Sequence, residues 1–230
     1  MGFGLKQDWR QVIDVLREIA SNYDQINRFL SLGRDTKLRQ EAVKGNLDNI
    51  RKVLDLGCGN GVFTKIAYEE NPEVDVVMLD VLPEMLDYAK DVKKQKTNVI
   101  QALFESLPFR EGAFDCVITA FAIRDAVDGE KTIDEIDRIL RKNGKLIICD
   151  IMKPDNPLLE KIVELYWLAV SPILGFIAAG KKGVKVWVIW KTYRKWPKIS
   201  SFVNIVGRKF PNYRLRRKML FGAFVAVFRK

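Results

Sequence analysis

Residues 53–61 of this 230-residue chain read VLDLGCGNG, and this stretch decides the fold. The apolar residues around Asp55 are typical of a buried strand, and the three glycines that follow lead directly into the helix-like segment 62–70. Glycine adopts backbone angles that other residues avoid and lets a ligand approach the main chain closely. A helix amino terminus behind such a turn presents free N–H groups, as in dinucleotide-binding proteins. The stretch therefore predicts a ligand site at the carboxyl end of the first strand of a sheet.

Apolar runs and helix-like stretches alternate from residue 52 onward, which is the pattern of a parallel sheet with crossover helices. We predict strands over residues 52–56, 75–79, 98–103, 114–121 and 145–151, and helices over 62–70, 83–94 and 130–141. Asn143-Gly144 supplies a turn before the fifth strand, and residues 213–229 are predicted to form a hairpin that turns near Gly222. The expected fold is α/β: a mostly parallel seven-stranded sheet that ends in an antiparallel hairpin, with helices on both faces.

The net charge of +10 is unevenly distributed along the chain. Residues 180–230 contain fifteen Lys and Arg and no Asp or Glu, so residues 1–179 carry a net charge of −5. The carboxyl-terminal segment is therefore expected to face an anionic neighbour. Three widely spaced cysteines, Cys58, Cys116 and Cys149, indicate a reduced, intracellular compartment. The absence of histidine and of a cysteine cluster argues against a metal site of the zinc type.

A second candidate binding residue is Asp80, which follows the next predicted strand, 23 positions after Gly57. A carboxylate at this place can accept hydrogen bonds from both hydroxyls of a ribose. A nicotinamide-dependent dehydrogenase would share this feature, and an aspartate in a surface turn is the structural alternative. Together with the glycine-rich turn, Asp80 predicts a nucleoside-containing ligand.

With these landmarks the chain resembles the class I S-adenosylmethionine-dependent methyltransferases. The resemblance rests on VLDLGCGNG, on Leu79-Asp80 followed by Pro83-Glu84-Met85-Leu86, on residues 105–109 (ESLPF), on Phe114-Asp115 and on residues 138–144 (RILRKNG). Within that class the chain is similar to the ubiquinone/menaquinone biosynthesis C-methyltransferases. The narrower similarity rests on Tyr23-Asp24, Asn27, Ser31, Gly33, residues 121–125 (FAIRD), Lys153-Pro154, Pro172, Gly175, Trp196-Pro197 and Gly222.

The resemblance implies a Rossmann-like fold and S-adenosylmethionine as the cofactor, which leaves as S-adenosylhomocysteine. Asp55 is placed to accept a hydrogen bond from the positively charged amino group of the methionine part. The chain departs from the family at residues 102–104, where Ala-Leu-Phe replaces Gly-Asp-Ala, so the adenine is expected to rest on apolar contacts and backbone groups. The expected cofactor-binding residues are Asp55, Gly57, Cys58, Gly59, Asn60, Gly61, Asp80, Val81, Leu103, Phe104 and Ala120.

The length of the chain fits a single methyltransferase domain, residues 1–230. Residues 9–30 are predicted to be helical, because Val12, Val15, Leu16 and Ile19 recur at helical spacing. We expect four segments within the domain. They are an amino-terminal helical flank or lid (1–45), the cofactor-binding core (46–151), an apolar and basic insertion on the substrate side (152–212) and the closing hairpin (213–230).

Methyl transfer to an aromatic carbon requires a group that removes a proton. Arg124 and Asp125 follow the fourth predicted strand, at the sheet edge where ligands of such folds bind. The resemblance implies an arginine and an asparagine that orient water there, and Asp125 replaces that asparagine with a carboxylate that can take the proton itself. Tyr23 and Asn27, one helical turn apart, are further candidates. The structural alternatives are a local ion pair between Arg124 and Asp125, and a packing or capping role for Tyr23 and Asn27.

The resemblance implies a small or lipid-borne acceptor, and above all C-methylation of a prenylated quinone precursor. Residues 186–189 (VWVI) replace the Tyr-x-Tyr-Leu of the family near the acceptor, so the acceptor pocket is expected to differ. One alternative is an RNA or phospholipid methyltransferase that uses the basic carboxyl-terminal face. Another is a non-catalytic S-adenosylmethionine-binding protein, and a dehydrogenase is the most distant.

The apolar run 158–179 is interrupted by Pro172, and it is too broken and too short to predict a membrane span. It either covers the core or presents an apolar wall to a prenyl tail or to a bilayer interface. Basic and aromatic residues just beyond it favour an anionic membrane surface over nucleic acid: Lys181, Lys182, Lys185, Trp187, Trp190, Tyr193 and Trp196. We therefore expect a cytoplasmic enzyme, peripheral at the inner face of the membrane. The sequence predicts no oligomeric state.

Overall fold

The computed structural model describes residues 2–92, 98–219 and 222–230, and its centre is one seven-stranded sheet. The strand order is β3-β2-β1-β4-β5-β7-β6. All paired neighbours are parallel except that β7 runs antiparallel to β5 and to β6, as the sequence predicts. The strands are β1 Lys52–Leu56, β2 Asp75–Asp80, β3 Asn98–Gln101, β4 Phe114–Ala120, β5 Leu140–Ile151, β6 Asn212–Lys218 and β7 Ala223–Arg229.

Helices cover both faces of the sheet, and strand residues alternate between the two sides. Val76 and Met78 of β2 pack into one apolar cluster, whereas Val77 and Leu79 pack into the other. This period of two is the geometry of an extended strand that is buried on both faces. The α-helices are α1 Trp9–Ile19, α2 Tyr23–Leu30, α3 Asp35–Val43, α4 Val62–Glu70, α5 Pro83–Ala89, α6 Gly129–Ile139, α7 Pro157–Leu165, α8 Ser171–Gly183, α9 Trp187–Tyr193 and α10 Ile199–Gly207.

Several predicted boundaries differ from the observed ones. The helix predicted over 9–30 is divided by a 3-10 turn at Ala20–Asn22, whose polar Ser21 and Asn22 favour turns over helix interiors. The predicted helix 83–94 is α-helical only to Ala89, and its last two predicted residues, 93 and 94, lie outside the described residues. The third strand ends at Gln101 rather than at residue 103, and α6 ends at Ile139 rather than at residue 141.

The predicted turn at Asn143-Gly144 is wrong as a boundary, because β5 already begins at Leu140 and runs through it. Leu140 pairs with Phe114, the register then shifts, and regular pairing resumes at Lys145. Asn143 has a φ of 65°, so the turn signal marks an irregularity inside the strand. Asn143 thus adopts a turn-like backbone conformation, but the strand pairing before and after it keeps this segment within β5.

The segment after β5 is more helical than the sequence predicts. From Pro157 to Tyr193 the chain forms 37 helical residues with a mean hydropathy of 1.8 in the most apolar window, of which 22% is buried. By length and composition alone this stretch could cross a membrane, so the prediction that it is too short was wrong. A π-helical turn, Tyr166–Val170, joins α7 to α8, and a kink lies at Ala179 and Gly180. Ten large apolar side chains of this stretch are exposed.

Candidate active site

The glycine-rich turn lies where β1 ends, and its backbone requires glycine. Gly57, Gly59 and Gly61 have φ values of 74°, 53° and 85°, in the left-handed region that favours glycine. The N–H groups of Gly57 and Cys58 donate to the carbonyl of Leu79, which ties the turn to β2. A Cβ on Gly57 would lie 2.5 Å from the Cβ of Ala122. No side chain fits at this position without displacing the backbone.

Asp55, two residues before the turn, is 1% exposed. Its Oδ2 accepts a hydrogen bond from the Thr64 hydroxyl at 2.6 Å, whereas its Oδ1 is buried without a partner among the described residues. Burial raises the pKa of Asp55 to about 7, against the effect of the Thr64 hydrogen bond. Since a buried acceptor without a donor is costly, this oxygen is suited to a cationic or N–H-bearing ligand.

Asp80, at the end of β2, faces the same region and is held by backbone donors. Its Oδ2 accepts from the N–H of Gly59 at 2.9 Å, and its Oδ1 accepts from the N–H of Leu82 at 3.0 Å. Burial raises the pKa of Asp80, and these backbone hydrogen bonds oppose the shift. The side chain is 9% exposed, so the alternative of a surface-turn aspartate is wrong.

A cleft joins most of the predicted cofactor residues. Its lining includes Gly57, Cys58, Gly59, Asn60, Asp80, Val81, Leu103, Phe104 and Ala120. Asp55 and Gly61 do not line it: Asp55 lies behind the turn, and a Cβ on Gly61 would face Val92, away from the cleft. Three apolar residues of α1 form the opposite wall: Trp9, Ile13 and Leu16.

Arg39, on α3, also lines this cleft, although the sequence analysis did not predict it. It is 7% exposed, its Nη1 donates to Asp35 at 3.1 Å, and its guanidinium lies 4.7 Å from the ring centre of Phe121. Its Nε has no partner among the described residues. A buried cation with a free donor is suited to an anionic group of a ligand. No sequence motif predicts a role for Arg39, because only the packing of α3 against the sheet edge brings it to the cleft.

Arg124 follows β4 and is held mainly by Asp150, a residue that the sequence analysis missed. Its Nη1 donates to Asp150 of β5, which is fully buried, while its Nη2 lies 3.7 Å from Asp125. Its guanidinium also lies 5.1 Å from the ring centre of Trp196. Burial lowers the pKa of Arg124, but Asp150 and Asp125 raise it by more, so the arginine stays charged. The ion-pair alternative is therefore confirmed in part, with Asp150 as the main partner.

Asp125 is the group in this cluster with proton chemistry near neutral pH. Burial raises its pKa to about 6; Arg124 lowers it and Asp150 raises it further. Asp125 lines the cleft and also a small neighbouring cavity of about 30 Å³, shared with Tyr23, Asn27 and Arg124. Burial raises the pKa of Tyr23, and the neighbouring Asn27 side chain opposes this shift. The structure thus brings all four predicted catalytic residues together.

A larger cavity of about 480 Å³ lies beside this cluster. Asn27 and Arg124 form its polar end next to this cluster, and Ser31, Arg34 and Asp35 are further polar lining residues. Its walls come from α2, α3, α7, α9 and the sheet edge. Sequence reasoning missed it, because its lining is scattered over almost the whole chain. Among its apolar lining residues are Leu30, Leu38, Ile151, Ile162, Val163, Tyr166, Trp167 and Ile189.

Phe121 is the wall shared by the cleft and the larger cavity. Its φ is 58°, a conformation that a bulky side chain rarely adopts, and its N–H donates to the carbonyl of Cys149 at 2.8 Å. Such a backbone conformation persists only where the surrounding structure over-determines it. Here it places an aromatic ring between the two chambers.

The chain matches a known enzyme family over most of its length. The sequence model of the ubiE/COQ5 methyltransferase family matches residues 5–213. A demethylmenaquinone methyltransferase of Thermus thermophilus is 34% identical over 170 residues, which are 72% of this chain and 77% of that protein. A ubiquinone/menaquinone biosynthesis C-methyltransferase UbiE of Citrifermentans bemidjiense is 33% identical over 180 residues, which are 75% and 77% of the two chains.

Solved structures agree on the fold. An S-adenosylmethionine-dependent methyltransferase from Thermotoga maritima superposes with a TM-score of 0.67 at 17% identity, covering 94% of this chain and 99% of that one. The plantazolicin methyltransferase BpumL in complex with S-adenosylhomocysteine has a TM-score of 0.67 at 15% identity, with coverages of 97% and 93%. At these identities the likeness concerns the fold alone.

Proposed function

The chain belongs to the ubiE/COQ5 methyltransferase family and is an S-adenosylmethionine-dependent methyltransferase, and we propose that it methylates a ring carbon of a prenylated quinone precursor. The observation that carries this proposal is the cavity of about 480 Å³, whose apolar walls end at Arg124 and Asn27. An aromatic head group with an apolar tail matches such a cavity, with the head at the polar end. Asp125, next to Arg124, lines the cofactor cleft on the other side.

For the cofactor we propose four anchoring contacts. Asp80, which lines the cleft, accepts from the ribose hydroxyls. Asp55 lies behind the glycine-rich turn, and its free Oδ1 accepts from the amino group of the methionine part where that group reaches past the turn. Arg39 binds the carboxylate, since it is the buried cation of the cleft. Leu103 and Phe104 supply apolar contacts to the adenine, in place of a carboxylate. The orphaned Asp55 oxygen and the turn that excludes a Cβ at Gly57 both fit this cofactor.

The bound cofactor supplies an electrophilic methyl group on a sulfonium, and the protein residues align and deprotonate the acceptor. Arg124 is a fixed cation that stabilises a phenolate oxygen on the acceptor ring, which makes the neighbouring carbon nucleophilic. With the cofactor bound, the ring carbon would take the methyl group from the sulfonium, whose sulfur would leave as a neutral thioether, and the ring carbon would then lose its proton. Asp125 accepts that proton, because its pKa of about 6 leaves it ionised at neutral pH.

We propose that α1 acts as a lid over the cofactor. Trp9, Ile13 and Leu16 line the cleft opposite the glycine-rich turn, so an outward movement of α1 would widen the entrance for a nucleoside joined to an amino acid. The core 46–151 would then stay fixed while the flank 1–45 opens.

An RNA acceptor is less well supported than a lipid-borne one. Much of the positive charge of residues 180–230 is neutralised within the chain, which leaves less of it for a phosphate backbone. Eight of the fifteen Lys and Arg form ion pairs in the described part of the chain: Lys185–Glu18, Arg194–Glu164, Lys195–Asp8, Lys198–Glu160, Lys209–Asp134, Arg217–Asp155, Lys218–Glu41 and Lys230–Asp137. Since the three cysteines are free and buried, we keep the proposed location in the cytoplasm, at the inner face of the membrane.

A methylation assay with competing acceptors tests the proposed function. The purified protein is incubated with methyl-labelled S-adenosylmethionine and, in separate reactions, a reduced demethylated quinone with a short prenyl tail, total RNA or phospholipid. We expect label only in the quinone. Label in RNA or phospholipid with none in the quinone would overturn the acceptor. Binding of S-adenosylhomocysteine without transfer to any acceptor would favour the non-catalytic alternative.

A further inference from the structure

The stretch from α7 to α8 carries a row of apolar side chains that face solvent, which we call the apolar ridge. Six large side chains define it, each between 45% and 68% exposed: Leu158, Ile162, Leu165, Ile173, Phe176 and Ile177. Of the fourteen exposed large apolar side chains among residues 2–92, 98–219 and 222–230, ten lie between Pro157 and Tyr193. A contiguous apolar patch of this kind marks an interaction surface.

The π-helical turn keeps the ridge on one side of the helix. Exposed apolar residues at 158, 162, 165, 170, 173 and 177 are three or four positions apart, except for a step of five across Tyr166–Val170. A π turn accommodates an additional residue compared with an α turn. Ile173 therefore stays in line with Leu165, and the ridge continues through the junction.

The opposite side of the same helix is packed into the protein. Trp167, Ser171 and Ala178 are buried, and a Cβ on Gly175 would lie 2.2 Å from the carbonyl oxygen of Gly183. Withdrawing this helix to span a bilayer would expose Trp167 and break the close glycine contact. The ridge is thus suited to lie on an apolar phase and not to cross it.

Positive charge without internal partners adjoins the ridge. Lys181 and Lys182, four and five residues after Ile177, are exposed and form no ion pair within the described part of the chain. No Asp or Glu follows Glu164 in the sequence. A parallel contact between two ridges would bring these lysines together, whereas anionic headgroups neutralise them.

The acceptor cavity opens beside the ridge. Ile162 belongs to the ridge and also lines the cavity, and Leu32, which is 67% exposed, lines it as well. The exposed Arg34 completes this rim, again without an ion pair in the described ranges. The cavity mouth and the apolar ridge therefore face the same surroundings.

We propose that the apolar ridge docks this enzyme onto an anionic lipid bilayer, with the cavity mouth between Leu32 and Ile162 turned toward the lipid. The apolar side chains enter the interfacial region and Lys181 and Lys182 contact the headgroups. A prenyl tail then passes from the bilayer into the cavity without crossing water. This last step rests on the proposed function, whereas the docking does not.

Vesicle flotation of the full-length protein tests the docking without acceptor or cofactor. The vesicles consist of phosphatidylcholine with or without phosphatidylglycerol. We expect the wild-type protein to float with the anionic vesicles, and Ile173→Ser/Ile177→Ser to partition into them about tenfold less. Lys181→Gln/Lys182→Gln should lose most of the preference for anionic vesicles. Tyr88→Ser, at an exposed aromatic residue on α5, and Lys65→Gln, at an exposed lysine on α4, are the matched controls and should float like the wild type.

Wild-type protein that stays with the soluble fraction, or a ridge variant that floats equally well, would overturn the docking. So would a lipid-free dimer that the ridge variant dissociates, since the occupant would then be a second copy. A methylation assay separates this proposal from the acceptor proposal. Ridge variants should retain turnover with a dispersed short-tail acceptor and lose it with a vesicle-embedded one. If the protein turned over neither form of the acceptor, the proposed acceptor would be refuted and the docking proposal would be unaffected.

Discussion

The proposed cofactor side of the molecule, residues 46–151, and the proposed acceptor side, residues 152–212, follow different rules. On the cofactor side β1, β2 and β4 are buried on both faces, and a backbone turn with left-handed glycines forms the binding surface. On the acceptor side helices with exposed apolar side chains surround a cavity whose lining comes from distant parts of the chain. Local backbone geometry therefore determines the first region, and tertiary packing determines the second.

The two regions should also differ in their tolerance to substitution. A turn whose dihedral angles and clearances are fixed admits almost no change, whereas a cavity wall of interchangeable apolar residues admits many. The acceptor side can thus adapt to another acceptor while cofactor binding is preserved. Four substitutions test this contrast, beginning with the one of largest expected effect.

Gly57→Ala should abolish measurable cofactor binding. The added Cβ would meet Ala122 at 2.5 Å and Phe104 at 2.9 Å, at a φ of 74°. Titration calorimetry with S-adenosylhomocysteine measures the effect. Gly45→Ala is the control, because Gly45 has a φ of 64° but nothing within 4 Å of its added Cβ, so it should lose only about 1 kcal/mol of stability. Equal cofactor affinity in both variants would contradict the role of the turn.

Asp125→Asn should lower turnover by about 100-fold, the usual contribution of a positioned general base, with cofactor affinity unchanged. In the native enzyme kcat/KM should fall as the pH drops through about 6, where Asp125 becomes protonated. The variant should lack this acid limb. A variant that keeps the native rate and pH profile would assign the proton to water and leave Asp125 a structural role. Arg124→Ala is a poor substitute, because it leaves Asp150 buried and unpaired.

Asp55→Asn should weaken cofactor binding by about 10- to 100-fold, the range for losing a charged hydrogen bond. Burial raises the pKa of Asp55 to about 7 in the free protein, and a cationic ligand favours the ionised form. Native affinity should therefore fall as the pH drops below about 7, with proton release on binding.

The same substitution, Asp55→Asn, should weaken cofactor binding but raise the free energy of unfolding. A carboxyl group whose pKa is raised on folding destabilises the folded state above that pKa. Without cofactor, Asp55→Asn should therefore be more stable than the native protein at alkaline pH. Thermal unfolding against pH measures this. A variant that loses both stability and affinity would indicate that Asp55 is structural.

Val163→Phe should have the smallest effect, an increase of about tenfold or less in KM for the acceptor, because it reduces the cavity without touching the polar end. Turnover at saturation and cofactor affinity should remain close to native. Leu158→Phe, on the same helix but 68% exposed and outside the cavity, is the control. If Val163→Phe instead removed cofactor binding, the two sides would be coupled and the contrast between them would fail.

The contrast explains what could be predicted from the sequence. Glycines at 57, 59 and 61 indicate a turn that depends on backbone angles. Asp80 could be predicted from its separation from that turn along the sequence. Arg124 and Asp125 were recognisable because they follow a buried strand. The sheet with its final hairpin follows from apolar periodicity, which reports burial directly.

Other features depend on contacts that no local pattern records. Asp150 looks like an ordinary residue near a strand end until β5 places it against Arg124. Arg39 reaches the cleft only through the packing of α3, and Asn143 lies inside a strand because pairing dominates over its turn propensity. The length of the exposed helix was also missed, since Pro172 falls in its first turn after the π junction, where proline is tolerated.

Mass spectrometry of the product from a ring-deuterated acceptor tests the account most directly. The native enzyme, S-adenosylmethionine and a reduced short-tail quinone precursor with deuterium on its unmethylated ring carbon are combined. We predict a product that has gained one methyl group and lost that deuterium, with the loss abolished together with turnover in Asp125→Asn. A methylated product that retains the deuterium would place the methyl group on oxygen and contradict carbon methylation at this site.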